Sequence, residues 1–293
     1  MTTRAYAKIN LDLRLGRRRP DGFHPIDTFF IRVDLFDTLD AEVTNNGKCT
    51  LAVEGDSKLS HGNDNLVLRA AQLLQKRAAK GLGVHLHLKK AIPQGAGLGG
   101  GSSDAASTLL LLRKLWSISC TDEELSSLGS ELGSDVPFFL QPYAARATGR
   151  GEIIQPVHLK DLPWAILIHP GFPSPTAAAY AAYAMTPVPC TEGPPLHLTQ
   201  EDGSRLTFHP RNDLEGPVEK KFIWIRSARE WLQKQSGVLA ARMSGSGSTV
   251  FGLWQTQKEV DQVVSLAKDY FGSEAWIQSA RLKSGADGSY RSL

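Results

Sequence analysis

The residues best equipped for chemistry form the stretch Pro93-Gln94-Gly95-Ala96-Gly97-Leu98-Gly99-Gly100-Gly101-Ser102-Ser103-Asp104-Ala105-Ala106. Its glycines strip the Cβ atoms from a run of backbone, so that amide N–H groups can close around something large and negative. Ser102 or Ser103 is expected to cap a helix that runs on through 108–116. A loop of free amides feeding a helix N-terminus is an anion site, and phosphate is the anion that suits it. The plainer alternative is a flexible connector between a strand and a helix. A second small-residue run, Ser244-Gly245-Ser246-Gly247-Ser248, can form another amide nest or a simple glycine turn before a strand.

Several side chains could act beside such a site. Lys8 and Asn10 share the polar face of an alternating run, 5–15, whose other face carries Ala7, Ile9, Leu11, Leu13 and Leu15. Asp135 stands just past the terminator Gly133 and before Pro137-Phe138-Phe139. From spacing alone Asp135 reads as a turn aspartate and Lys8 as a solvent-facing strand lysine. Phe23 and His24 follow the turn chemistry of Pro20-Asp21-Gly22, and Tyr180 lies in an alanine-rich helix over 177–184, where core packing is the alternative. His85 and His87, two apart on a strand, could suit a metal, but with no third ligand in view they read as exposed strand histidines.

The elements that must position these groups can be read in order. Strands are expected over 5–15, 28–35, 39–43 and 50–53, the last two joined by a hairpin at Asn45-Asn46-Gly47. A helix over 65–79, with Asp64 as its cap, and a strand over 84–90 lead into the glycine stretch. Thr121-Asp122-Glu123-Glu124 has the form of a capping box for a helix that ends at Gly133. Composition changes near residue 155, a strand starts over 164–169, and 186–201 is expected to be a loop of low order. Helices over 220–235 and 257–271 and strands over 249–254 and 275–282 complete an α+β pattern.

Composition narrows the function classes. With 293 residues, two domains are expected. A formal charge of +3 is too small to imply a nucleic-acid or membrane partner, and the basic run from Arg14 to Arg19, centred on Arg17-Arg18-Arg19, reads as a solvated loop, with phosphate or product contact as the alternative. Three scattered cysteines, Cys49, Cys120 and Cys190, fit a reducing compartment rather than a disulfide framework or zinc site. The first residues lack a signal-peptide core and no window is apolar enough to span a bilayer, so the expectation is a cytoplasmic protein.

Gly95, Gly97 and Gly100 spell GxGxxG, yet the acids about 20 positions on sit in a helix-capping sequence and the preceding strands are antiparallel in pattern, which argues against a dinucleotide fold. No lysine follows the glycines as a Walker A loop requires, and the protein-kinase motifs are missing. The stretch instead resembles the phosphate-binding motif of the GHMP kinase superfamily. The run 97–106 and an ordered set of segments are similar to one branch, which phosphorylates a cytidine diphosphate-linked methylerythritol in non-mevalonate isoprenoid synthesis. Those segments are Ala7-Lys8-Ile9-Asn10-Leu11, Arg19-Pro20-Asp21-Gly22-Phe23-His24, Asn63-Asp64-Asn65-Leu66, Gly133-Ser134-Asp135-Val136-Pro137-Phe138-Phe139, Gly149-Arg150-Gly151-Glu152, Arg211-Asn212-Asp213-Leu214-Glu215 and Ser244-Gly245-Ser246-Gly247. Asp12, where an apolar aromatic is expected, and Pro25-Ile26-Asp27 depart from the pattern.

The resemblance implies a ribosomal-S5-domain-2-like unit over 1–156 and a ferredoxin-like unit over 157–293, meeting at a cleft. It implies transfer of the ATP γ-phosphoryl group to the 2-hydroxyl of a small-molecule alcohol, with Mg²⁺ carried by the nucleotide and no separate metal site. Asp135 would accept the hydroxyl proton and Lys8 would orient it. Pro93, Gly95, Gly97, Leu98, Gly99, Gly100, Gly101, Ser102 and Ser103 would hold the nucleotide, with Asn65 and Lys90 near the adenine. Asn10, Phe23, His24, Asp135, Tyr180, Gly245 and Ser246 would contact the acceptor, Phe23 and Tyr180 by stacking on its base. A monomer or weak homodimer is expected. The rivals are a homoserine- or mevalonate-kinase-like enzyme and a nucleotide-binding regulator without turnover.

Overall fold

The computed structural model describes residues 1–56, 59–185 and 190–285. Strand β1 (Thr2–Leu15) runs antiparallel to β2 (Ile26–Thr44), with Lys8 opposite Arg32 and Asn10 opposite Phe30. The pairing slips between Asn10 and Asp12, a bulge of the kind that re-aims side chains. The expected strands 28–35 and 39–43 are one strand of 19 residues, long enough to pair with several partners. Strand β3 (Cys49–Glu54), helix α1 (Leu66–Gln75) and strand β4 (Gly83–Lys89) form a parallel unit, and β4 lies between β3 and β2. The hairpin expected at Asn45-Asn46-Gly47 is therefore not formed. Val84, Leu86 and Leu88 of β4 are completely buried, and that strand takes the place beside β2.

Helix α2 (Gly100–Leu115) follows the glycine stretch and is buried from Ser103 to Leu112, as a helix surrounded by other elements must be. Helix α3 (Asp122–Leu132) has the expected Thr121–Glu124 capping box, and the short helix α4 (Val136–Phe139) turns directly off its end. Strands β5 (Ala144–Thr148) and β6 (Ile153–Val157) pair across the turn at Gly149-Arg150-Gly151-Glu152. Next come β7 (Leu159–Lys160), β8 (Trp164–His169), α5 (Thr176–Met185), β9 (Leu196–Gln200) and β10 (Arg205–Phe208). Residues 186–189 of the expected loop 186–201 lie outside the described residues, and part of the remainder is β9. Leu196 and Leu198 are buried there, an alternation with His197 that marks a strand.

The helix expected over 220–235 is two, α6 (Glu215–Lys221) and α7 (Ile223–Gln233), broken at Phe222. Strand β11 (Ala240–Met243), strand β12 (Val250–Trp254), helix α8 (Gln257–Phe271) and strand β13 (Trp276–Lys283) close the described chain. The main sheet runs β11-β12-β8-β13-β2-β4-β3, with β1, β5 and β6 attached through β2. Its two halves join where Leu282 and Lys283 of β13 pair with Val33 and Arg32 of β2. One buried apolar cluster spans that joint, gathering Ile9, Ile31, Leu98, Leu167, Phe251 and Leu282 among its members.

Candidate active site

The strand β4 delivers the chain into a clamp. Lys90, buried, extends Nζ to Asp37 and to Asp104 Oδ2 at 2.8 Å, while Asp37 Oδ1 accepts from the amides of Ala91 at 2.6 Å and Ile92 at 2.9 Å. Burial pushes the Asp104 carboxyl up to about 8; Lys90 opposes that rise and Asp37 adds to it. In the stretch that follows, Ala96 and Leu98 are buried in the core while glycines alternate with them. The side chains pin the loop and leave the glycine backbone at the surface of the cleft. At Gly97, φ is +77° and a Cβ would overlap the carbonyl oxygen of Ser244, so only glycine fits.

Helix α2 begins at Gly100 with left-handed Gly99 as its cap, and no side chain caps it. The expectation that Ser102 or Ser103 caps this helix is thus corrected. The physical reason is that the helix already begins at Gly100, so Ser102 and Ser103 fall inside its first turn instead of before it. Ser102 lines the cleft, but Ser103 is 1% exposed, belongs to the buried face of α2 and does not line it.

Lys8 emerges from β1 beneath this loop, 4% exposed. Its Nζ donates to Asn10 Oδ1 at 2.7 Å and to Gly97 O at 3.3 Å, and stands 3.4 Å from Asp135 Oδ2. The polar face of β1, read as solvent-facing, is therefore buried at Lys8 and Asn10. Asn10 Nδ2 donates to Thr28 Oγ1 at 2.8 Å. Asp135 sits at the start of α4, and its side chain stays 31% exposed, open to the cleft.

The second small-residue run folds against the first. Ser244 Oγ donates to Gly97 O at 2.9 Å, Thr249 N to Ala96 O at 3.1 Å and Ser174 N to Gly95 O at 3.2 Å. Ser246 Oγ and Thr176 Oγ1 are 2.8 Å apart, tying the loop to α5. At the far end, His24 is buried between Tyr180 and Tyr183, with ring centroids 6.3 and 5.5 Å away. Its Nδ1 lies 2.9 Å from Gly16 O and so carries the hydrogen, which leaves Nε2, without a protein partner, as an acceptor. Burial, and then the charge of Asp135, raise the Tyr180 phenol, which stays protonated. Phe23 is half exposed at the rim, with the Arg150 guanidinium 4.8 Å above its ring.

These groups surround one continuous cavity of about 1190 Å³. Of the residues singled out from sequence, Lys8, Asn10, Phe23, His24, Asn65 and Lys90 line it. So do Pro93, Gly95, Gly97, Leu98 and Gly99, then Gly100, Gly101, Ser102 and Asp135, and finally Tyr180, Gly245 and Ser246. Asn65 is itself the cap of α1 in place of Asp64; its Oδ1 accepts from Val67 N at 2.9 Å and its Nδ2 donates to Ser60 O. Of the departures from the motif, Ile26 lines the cavity while Asp12, Pro25 and Asp27 do not; Asp12 pairs with Arg14 at 2.9 Å.

Sequence reasoning missed Asp37, Asp104 and Thr176, while Arg18, from the basic run read as a solvated loop or a phosphate or product contact, lines the cavity. Asp104 stands inside the glycine motif and could have been paired with Lys90, whereas Asp37 fell in the gap assigned between two strands and carried no signal. Among the described residues no group of three metal-ligating side chains occurs, and His85 instead meets the Thr50 hydroxyl at 2.9 Å while His87 faces Glu54 at 3.6 Å.

Comparison with known proteins bears on this cavity. The family model described as GHMP kinases N terminal domain matches residues 65–142, and that described as GHMP kinases C terminal matches residues 201–271. The chain is 37% identical over 277 residues to the 4-diphosphocytidyl-2-C-methyl-D-erythritol kinase of Methylacidiphilum infernorum, covering 94% of each chain. It is 41% identical over 260 residues to the protein of the same name from Salinibacter ruber, covering 86% of this chain and 89% of the relative. A crystal structure of a 4-(cytidine 5'-diphospho)-2C-methyl-D-erythritol kinase superposes with a TM-score of 0.77 at 34% identity, over 97% of this chain and 100% of the other.

Proposed function

The chain belongs to the GHMP kinases and, among them, to the family of 4-diphosphocytidyl-2-C-methyl-D-erythritol kinases, and from that we propose that it transfers the γ-phosphoryl group of ATP to the 2-hydroxyl of 4-diphosphocytidyl-2-C-methyl-D-erythritol. The observation that carries the reading is the Lys8–Asp135 pair, 3.4 Å apart, beneath the glycine loop and in the same cavity as His24 and Tyr180. We assign residues 1–156 to the nucleotide-binding and catalytic unit and 157–293 to the unit that supplies Gly245 and Ser246.

In the reaction the acceptor oxygen forms a bond to the γ-phosphorus as the bond from that phosphorus to the bridging oxygen breaks, and ADP leaves. Asp135 takes the hydroxyl proton, and the Lys8 ammonium holds acceptor oxygen and carboxylate together. The amides of 97–102 and the open end of α2 bind the phosphates, with no reorganisation needed as charge moves. Further charge neutralisation would come from Mg²⁺ carried by the nucleotide. The Ser102 hydroxyl, which lines the cavity, is an oxygen donor that would suit it, since this ion takes only one or two protein ligands in such sites.

At the acceptor end, the Nε2 of His24 offers a lone pair, which matches the amino group of a cytosine. Tyr180 and the rim residue Phe23 offer flat surfaces for its ring. All three cysteines are free, and no described helix is long and apolar enough to cross a membrane; both agree with a cytoplasmic enzyme acting on a small molecule.

The test is ADP release from MgATP with 4-diphosphocytidyl-2-C-methyl-D-erythritol, homoserine and mevalonate offered in parallel. Turnover with the first is expected. Turnover only with one of the others would overturn the acceptor, and tight ATP binding without turnover on any alcohol would make the protein a regulator.

A further inference from the structure

The segment Arg211-Asn212-Asp213-Leu214-Glu215 has no part in the chemistry so far, yet it grips the loop 244–248 from behind. Asn212 is completely buried. Its Nδ2 donates to Met243 O at 2.8 Å and to Gly245 O at 2.7 Å, which spends both of its protons, and its Oδ1 accepts from Leu214 N at 2.9 Å. Glu215 Oε1 accepts from Met243 N at 2.8 Å. The same segment is fastened to β1: Leu13 N donates to Arg211 O at 2.8 Å, Asp213 N to Leu13 O at 3.0 Å and Leu15 N to Asp213 Oδ2 at 2.8 Å. On the other side of the loop, a Cβ at Gly245 would lie 3.2 Å from Asn10 Oδ1 and 3.4 Å from Lys8 Nζ. One amide side chain thus ties the loop to the strand that carries Lys8 and Asn10.

The bond to Gly245 has a directional consequence. In a trans peptide the C=O and the following N–H point opposite ways, so a Gly245 carbonyl turned onto Asn212 turns the Ser246 N–H away from it. Gly245 and Ser246 line the cavity and Asn212 does not. We propose that Asn212 is a positioning residue for the acceptor, aiming the Ser246 amide and the Gly245 backbone across the cavity at the group held by Lys8 and Asn10. This rests on the reading that Gly245 and Ser246 face the acceptor.

The test compares Asn212→Ala and Asn212→Asp with Val218→Ala, which thins the packing of α6 in the same region and removes no bond to the loop. Asn212→Ala should lower kcat/KM for the cytidine diphosphate-linked alcohol by about 10-fold or more, because a misplaced wall misorients the reactants. It should leave the Kd for MgADP within about twofold, as buried Ala96 and Leu98 and the Lys90–Asp104 pair hold the glycine stretch independently of that loop. Val218→Ala should lower Tm and leave kcat/KM within about twofold. In Asn212→Asp the donor is lost until the carboxyl is protonated, so its activity relative to wild type should rise as pH falls.

Equal loss of acceptor and MgADP binding, a matching activity loss in Val218→Ala, or failure of both 212 variants to fold would make Asn212 merely structural and overturn the proposal. Wild-type turnover separates the two levels. If the wild-type protein does not use this acceptor, the parent reading falls and the inference with it; normal wild-type turnover with an unaffected Asn212→Ala sinks the inference alone.

Discussion

Lys8 is a buried ammonium satisfied by three oxygens, those of the buried Asn10 side chain, the Gly97 backbone and the Asp135 side chain, and of the two side chains only Asp135, 31% exposed, is not buried. That asymmetry makes the carboxylate the movable partner and the lysine the fixed one. Asp135→Asn keeps the shape and removes the proposed base, so kcat should fall by about 100-fold or more, roughly 3 kcal/mol of barrier, while the MgADP Kd measured by titration calorimetry stays unchanged. An activity near wild type would remove Asp135 from proton transfer. Lys8→Met should lower kcat by about 100-fold as well, since a preorganised charge is lost, yet Tm should hold or rise because the cost of burying an ammonium disappears. Neither role was legible from spacing. Alternation identifies the face of β1 that carries Lys8 and Asn10, but what covers that face comes from Gly97 and Ser244, 89 and 234 residues away. Only the likeness of whole segments to a family, not the pattern around each residue, singled these two out.

At the scale of the element, anchors and gaps alternate along the glycine stretch. Ala96 and Leu98 are fixed in the core, and the glycine between them passes so close to Ser244 that no side chain fits. Gly97→Ala should therefore weaken MgADP by about 10-fold or more and lower Tm, whereas Ala52→Gly, on the peripheral strand β3, should lower Tm slightly and leave nucleotide affinity intact. Equal nucleotide affinity in Gly97→Ala and wild type would count against the loop as the phosphate cradle. The stretch was readable as a glycine loop that opens a helix, but the helix cap was not: a serine is the usual cap, and here left-handed Gly99 takes that place with no side chain on the first amides. Behind the second loop, burial pushes the Glu215 carboxyl up to about 7, with Arg242 opposing. A carboxyl raised on folding stabilises the native state below its unfolded range near 4.5 and loses that contribution as pH climbs through about 7. Relative to wild type, Glu215→Gln should thus gain stability between pH 5 and 8 in denaturant melts, and a pH-independent difference would argue against the raised carboxyl.

For the molecule as a whole, the two halves that composition suggested share one sheet. The joint at β13 and β2 and the apolar cluster across it bury residues from both ends of the chain. Scanning calorimetry should accordingly give one cooperative transition, and Leu282→Ala, which empties a position 1% exposed in that cluster, should cost about 2–4 kcal/mol and shift the whole transition. Two separate transitions, with only one moved by the substitution, would mean that the halves melt independently. This joint could not be read in advance, because β13 and β2 stand at opposite ends of the sequence and a strand's pattern does not name its neighbour; the lost hairpin at Asn45-Asn46-Gly47 failed for the same reason. The link between Asn10 and Ser244 also sets a timetable on the ribosome. With 234 residues between them and synthesis at roughly 5–20 residues per second, about 12 to 50 s pass between the emergence of the lysine strand and that of the loop that covers it. Once Asp135 has been made, and until the loop at Ser244 follows, the nascent chain carries Lys8, the glycine stretch and Asp135 uncovered, so the proposed site is complete only when about five-sixths of the chain has been made.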